Sequence, residues 1–170
     1  MERFVGGDAR AFDLLFSRHA ANLRRYLQRM SGSAAIADDL TQTTFVSMVK
    51  GRGRFQKGAK VKPWLYAIAT NAARDCRRRT KFESVSSDGK LPEGEAEPGV
   101  QRDPGLEKAV KNALQQLPEA QREAIILNRY EGLSFAEIAE MAGVTESAVK
   151  VRAFRGYERL RELLKGVWSS

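Results

Sequence analysis

"LPEAQREAIILNRYEGLSFAEIAEMAGVTESAVKVRAFRGYERLRELLKG", Leu117 to Gly166, carries the punctuation of three consecutive helices. Leu117-Pro118 opens the first, since proline tolerates the first helical turn, and Gly132 closes it. Ser134 and Glu137 stand at the S-x-x-E spacing of a capping box, so a short second helix starts there and carries Phe135, Ile138, Met141 and Ala142. Gly143 breaks that helix and Thr145 can cap the next. Two helices joined by a short glycine turn, with a longer helix following the turn, have the spacing of a helix-turn-helix.

The third helix has two distinct sides. At about 100° per residue, Val149, Ala153, Gly156, Tyr157, Leu160, Leu163 and Leu164 fall on one apolar stripe, the expected packing face. Ser147, Lys150, Val151, Phe154 and Arg155 point away from it. A valine and a phenylalanine left outside the core beside Lys, Arg and Ser suit a DNA major groove, where thymine methyls accept apolar contact and Arg or Lys reads guanine. Past Phe154 the outer face turns to Glu158 and Glu162, so the N-terminal half alone would meet DNA. A helical hairpin with no DNA role is the plainer alternative.

Charge is distributed unevenly along the 170 residues. The chain carries a net +8. Residues 1–81 hold 17 basic and 6 acidic side chains (+11), residues 82–105 hold 2 and 6 (−4), and residues 106–170 hold 10 and 9 (+1). A basic excess of this kind points to a polyanionic partner. The middle segment, "FESVSSDGKLPEGEAEPGVQRDPG", has seven Gly or Pro among 24 residues and reads as an irregular acidic linker. Apolar residues on both sides recur at helical spacing with no period-two strand pattern, which predicts an all-α protein of two small helical domains. A single cysteine excludes an internal disulfide, and no apolar run has the length of a membrane span or the pattern of a signal peptide. The expected setting is a reducing cytoplasm, without membrane insertion of its own.

In the basic block, Asp8 can cap a helix whose stripe is Phe12, Leu15, Phe16, His19, Leu23, Tyr26, Leu27 and Met30. His19 would pack or snorkel there. The next helix, "AAIADDLTQTTFVSMVK", places Ile36, Leu40, Thr44, Ser47 and Met48 on one arc. Asp38, Asp39 and Gln42 share another with Val46 and Val49. That second arc is either a solvated face whose acids complement the helix dipole or a docking surface for a basic partner. Asp38 and Asp39 are neighbours and diverge on a helix, which weakens a metal or acid-base reading in which they would act with His19.

"RFQKGAKVKPWLYAIATNAARDCRRRTK", Arg54 to Lys81, sets aromatics and an asparagine among lysines and arginines with a single aspartate. From Pro63 a helix should run to about Arg79, with Leu65, Ile68, Ala69, Ala72 and Cys76 inside. Cys76 reads as a small buried hydrophobe. The opposite face collects Tyr66, Thr70, Asn71, Arg74, Arg77 and Arg78: guanidinium for phosphate, amide for a base edge, a ring for stacking. Lys57, Lys60 and Lys62 lie in the preceding loop, with Phe55 before it and Trp64 past it. Basic residues flanked by rings suit unpaired DNA, since a flipped base needs a π-face or a pocket. The plainer alternative keeps Phe55 and Trp64 in the core beside a solvated charge run.

Taken in order, "DDLTQTTF", the "RF..GAKVKPWLYAIATNAARDCRRR" stretch, the acidic linker and the Leu117–Gly166 block resemble a bacterial RNA polymerase sigma factor of the sigma-70 family, extracytoplasmic-function (ECF) subgroup. The resemblance covers about Asp8 to Leu164. It implies sigma region 2 at residues 1–81, a linker at 82–105 threaded near the active-site cleft and RNA exit path, and sigma region 4 at 106–170. Asp38, Asp39, Leu40, Gln42 and Phe45 would dock on RNA polymerase core. Phe55, Lys57, Lys60, Lys62, Trp64, Tyr66, Asn71, Arg74, Arg77 and Arg78 would open the minus-10 element of promoter DNA and hold an unstacked base. Ser147, Ala148, Lys150, Val151, Arg152, Phe154 and Arg155 would read the minus-35 element. An anti-sigma factor is the further implied partner, and neither catalysis nor a cofactor or metal is implied. The rival from the residues themselves is a stand-alone helix-turn-helix regulator, which accounts for the second block and leaves the first unexplained.

Overall fold

A computed structural model describes the backbone of residues 1–84 and 103–167 and the side chains of 1–81 and 103–167. The chain divides into two compact units, Met1–Pro92 and Glu93–Ser170. Among the described residues every regular element is helical. The expected linker, 82–105, lies mostly outside the described residues, but its two ends are not irregular: residues 82–84 continue one helix and Pro104 begins another.

In the first unit, a single turn α1 (Glu2–Val5) leads into α2 (Ala9–Ser31), α3 (Ala34–Lys50), a 3-10 turn (Arg52–Arg54) and α4 (Val61–Ser84). The Asp8 carboxylate accepts from the Arg10 amide at 2.9 Å and caps α2 as expected, while Ser33 caps α3 by accepting from Ile36. The three long helices pack on one another around Leu23, Tyr26, Leu27, Met48, Leu65 and Tyr66, all fully buried. The Tyr26 and Tyr66 rings lie 5.1 Å apart, and the Tyr26 hydroxyl is 2.7 Å from Thr70 Oγ1. The hydrogen bond between the two hydroxyls offsets the cost of burying them. On the α1 side Phe4, Phe12, Phe16 and Phe45 form a ring cluster, with Phe16 and Phe45 at 4.7 Å.

This packing corrects the expected orientation of α4. The buried residues are Leu65, Tyr66, Ala69, Thr70 and Ala73, whereas Ile68, Ala72 and Cys76 are half-buried. The helix is rotated by about 70° from the arc that counts tyrosine and threonine as polar. In α3, Ala37, Thr41 and Phe45 join Leu40, Thr44 and Met48 in the core. Thr41 and Thr44 donate to the carbonyls of Ala37 and Leu40, each at 2.7 Å, so their burial leaves no hydroxyl unsatisfied.

The second unit consists of α5 (Pro104–Gln115), α6 (Glu119–Arg129), α7 (Phe135–Ala142) and α8 (Glu146–Leu164). Leu114, Leu117 and Ile125 are buried together with Val110 and Leu160 packed against them. Arg122 is buried and donates to Gln115 Oε1 at 2.9 Å and to the carbonyls of Gln115 and Leu117 at 2.9 and 3.0 Å. A cation placed on the last carbonyls of α5 satisfies acceptors that the helix itself cannot. Where α8 crosses α6 the contact is close at Gly156: a Cβ there would lie 2.6 Å from Ile125 Cδ1 and 3.3 Å from Gln121 Cβ. Tyr157, expected on the packing stripe, is exposed, and Leu160, Leu163 and Leu164 are half-buried.

Two consequences can be measured. Gly156→Val should lower the stability of the second unit by about 1–3 kcal/mol, the usual size of core overpacking, as read by denaturant unfolding. His19 is half-buried on α2, and its burial, then the charges of Arg18 and Lys62, hold its pKa below the ordinary 6.5. A depressed histidine binds its proton more readily in the unfolded chain. Its stabilising contribution is therefore complete above about pH 6.5 and is lost as the pH falls from there toward the folded value. His19→Gln should remove that acid-side drop from the pH profile of unfolding.

Candidate nucleic-acid and docking surfaces

The α7–α8 pair is built by short-range capping. Ser134 Oγ accepts from the Glu137 amide at 3.1 Å while Glu137 Oε2 accepts from the Ser134 amide at 2.9 Å, completing the predicted box. Gly143 ends α7 with φ +65°, a conformation that a side chain would strain, and Thr145 Oγ1 accepts from the Ala148 amide at 3.1 Å to start α8. With Val149, Ala153 and Gly156 buried, Ser147, Lys150, Val151, Phe154 and Arg155 all face outward. Phe154 is 64% exposed and Val151 47%. Ala148 and Arg152 sit half-buried at the margin of this face. Lys150 Nζ is 2.8 Å from Glu146 Oε1, one turn back.

In the first unit the 3-10 turn and the basic loop lead into α4, with a reversal at Gly58 (φ +83°). Phe55 and Trp64 are half-buried and meet edge to face at 5.1 Å, so the two rings close the ends of the loop against each other. Lys57 and Lys60 are exposed; Lys62 Nζ lies 5.5 Å from the centroid of the Tyr66 ring. Asn71, Arg77 and Arg78 are exposed and Arg74 is half-buried, with Arg78 ion-paired to Asp75. Tyr66 departs from expectation. It is 0% exposed and offers no ring for stacking, because its phenol packs on Tyr26 inside the bundle.

On α3, Asp38, Asp39, Gln42, Val46 and Val49 are all exposed, as the arc predicted. Leu40 and Phe45 are not part of that surface. Phe45, at 3% exposure, is held in the phenylalanine cluster, and Leu40 lies in the core, so both support the face from beneath. Asp38 is paired with Arg24 of α2, and the hydrogen bond from that guanidinium is the main reason its carboxyl stays below the usual carboxylate range. Asp39 faces the other way, into a groove of about 640 Å³ between α3 and α4 whose wall includes Thr43, Ser47, Trp64, Asn71 and Cys76.

The groove was not foreseen. Asp39, Thr43 and Ser47 recur at four-residue spacing along α3, which is the pattern a sequence reading could have used. Asp38, Asp39 and His19 do not converge. Among the described residues no three His, Cys, Asp or Glu groups cluster to hold a metal ion, and no helix is long and apolar enough to cross a membrane.

Residues 15–83 match the family Sigma-70 region 2, and residues 107–160 match Sigma-70, region 4. RNA polymerase sigma factor CarQ of Myxococcus xanthus is 43% identical over 166 residues, covering 96% of this chain and 95% of that protein. ECF RNA polymerase sigma factor SigM of Mycobacterium tuberculosis is 38% identical over 162 residues, covering 94% and 80%. Among solved structures, the sigma factor RpoE in complex with the anti-sigma factor NepR from Bartonella quintana aligns with a TM-score of 0.81 at 30% identity, covering 92% of this chain and 98% of that one. CnrH in complex with the cytosolic domain of CnrY aligns with a TM-score of 0.73 at 27% identity, covering 95% and 92%.

Proposed function

The chain belongs to the extracytoplasmic-function group of the sigma-70 family of RNA polymerase sigma factors, and on that footing we propose how its surfaces divide the work of starting transcription. It binds core polymerase and directs promoter-specific initiation. The observation that carries the residue assignments is the coexistence, in one chain, of three exposed faces of different chemistry on two separate units. They are the acid-amide-aliphatic face of α3, the basic and aromatic loop leading into α4, and the outward side of α8.

Residues 1–81 act as region 2. Asp38, Asp39 and Gln42, with Val46 and Val49 beside them, dock on core, where carboxylates and an amide meet a basic helical surface and the valines bury apolar area. Lys57, Lys60 and Lys62 draw in the minus-10 strands. Phe55, Trp64 and Asn71 line the place of an unstacked base, and Arg74, Arg77 and Arg78 track phosphates. Unstacking costs a few kcal/mol per step, which base capture offsets.

Residues 106–170 act as region 4, with Ser147, Lys150, Val151, Phe154 and Arg155 entering the minus-35 major groove. Residues 82–105 join the two as an acidic linker near the cleft of the polymerase. The work is binding rather than catalysis, and its place is the cytoplasm. An anti-sigma partner is supported by the similar structure of the sigma factor RpoE, which is seen in complex with the anti-sigma factor NepR.

With core polymerase added, the protein should start transcription at defined promoters, and alone it should bind promoter duplex weakly. Tight sequence-specific binding without core would favour the stand-alone regulator. Asp39→Arg should weaken association with core about tenfold, since reversing a charge in a complementary interface costs more than one kcal/mol. Arg155→Ala should leave core binding intact and weaken promoter recognition by about 1–3 kcal/mol. Loss of DNA binding alone from both substitutions would overturn the docking role of α3.

A further inference from the structure

Single apolar side chains on a surface need no explanation. The pair on α8 is different, because Val151 and Phe154 are three residues apart on a helix and therefore adjacent, both exposed, and framed by Lys150 and Arg155. Ser147 lies one turn before Val151 and is also exposed; its small side chain leaves room for a base edge to approach the valine. Lys150 Nζ lies 2.8 Å from Glu146 Oε1, one turn back along the helix. The segment from Glu146 to Arg155 is about 15 Å long, matching roughly four base-pair steps. Beyond it Glu158 and Glu162 oppose phosphate, and Glu162 already holds Lys165 at 2.7 Å. Val151 thus sits near the middle of the short stretch that can enter a groove, with Phe154 toward its C-terminal end.

We infer that Val151, backed by Phe154, is a specificity-determining residue that selects thymine in the upstream element by contact with its C5-methyl group. The inference rests on the region 4 assignment above and adds which chemical group is read. Valine has neither donor nor acceptor on its side chain. It therefore cannot satisfy the N7 and O6 of guanine or the N4 amino group of cytosine, and a base pair presenting those edges against it loses hydrogen bonds to water without replacement. The methyl of thymine is the one major-groove group that gains from meeting it. Phe154 supplies the wall that excludes water from that contact.

The test uses holoenzyme reconstituted from core polymerase and the full chain. A duplex is first selected from a library randomised across the upstream element, and its thymines are then replaced one at a time by deoxyuridine. Uracil keeps every base-pairing group and lacks only the methyl. At one or two positions deoxyuridine should weaken binding about fourfold, the worth of burying one methyl-sized group. Val151→Ser should abolish that loss while leaving binding to core unchanged, and Val151 is exposed, so the substitution does not disturb the core. A selected element without thymine, equal affinity for the thymine and uracil duplexes, or an undiminished loss in Val151→Ser would each overturn the inference. Failure of the holoenzyme to select any upstream sequence would instead overturn the region 4 assignment itself.

Discussion

The arrangement of the first unit depends on one buried contact, the hydrogen bond between Tyr26 and Thr70 with the Tyr66 ring packed at a tilt against Tyr26. Two hydroxyls in an apolar interior are costly unless they are hydrogen-bonded, and their pairing favours the rotation of α4 seen here. That rotation turns Asn71 and Arg77 outward, brings Cys76 and Ile68 to the groove beside α3, and leaves Trp64 against Phe55. The acidic face of α3 follows in turn, because Leu40, Phe45 and Met48 must point inward for the bundle to close. The surfaces proposed above for docking and for DNA are therefore consequences of the same interior.

The second unit reaches the same end by different means. Its helix α8 is held by the near approach to α6 at Gly156 and by caps made over three residues. Because so much of α8 is committed to that seat, the residues left outside include large apolar ones. In a protein with no partner for them they would be a liability; on the inference above, a groove lined with thymine methyls would make them the means of recognition.

Much of this was legible in the sequence, for a reason that particular residues make clear. The caps at Asp8, Ser134 and Thr145 involve partners two or three positions away, so a short window contains both donor and acceptor. The outward faces of α3 and α8 follow from periodicity, and all of Asp38, Asp39, Gln42, Lys150, Val151 and Phe154 are where that periodicity puts them. Tyr66 was misplaced because its reason for burial, Tyr26, lies 40 residues earlier and reaches Thr70 at a separation of 44. Phe45 was assigned to the docking face although Phe12 and Phe16, on another helix, enclose it. Arg122 gave no local sign that a guanidinium would be buried on the carbonyls ending α5. Local hydrogen bonds and spacing are written in order along the chain, while contacts between helices are not.

The tight seat at Gly156 also bears on inheritance. A Cβ at position 156 would crowd Ile125 and Gln121, so a single substitution there can disturb the second unit while the face of α3, in the first unit, keeps its shape. On the division of labour proposed above, such a chain would still occupy polymerase yet deliver it nowhere. In a cell carrying both versions, the altered copy would be a competitor for a shared enzyme, and its harm would grow with its abundance.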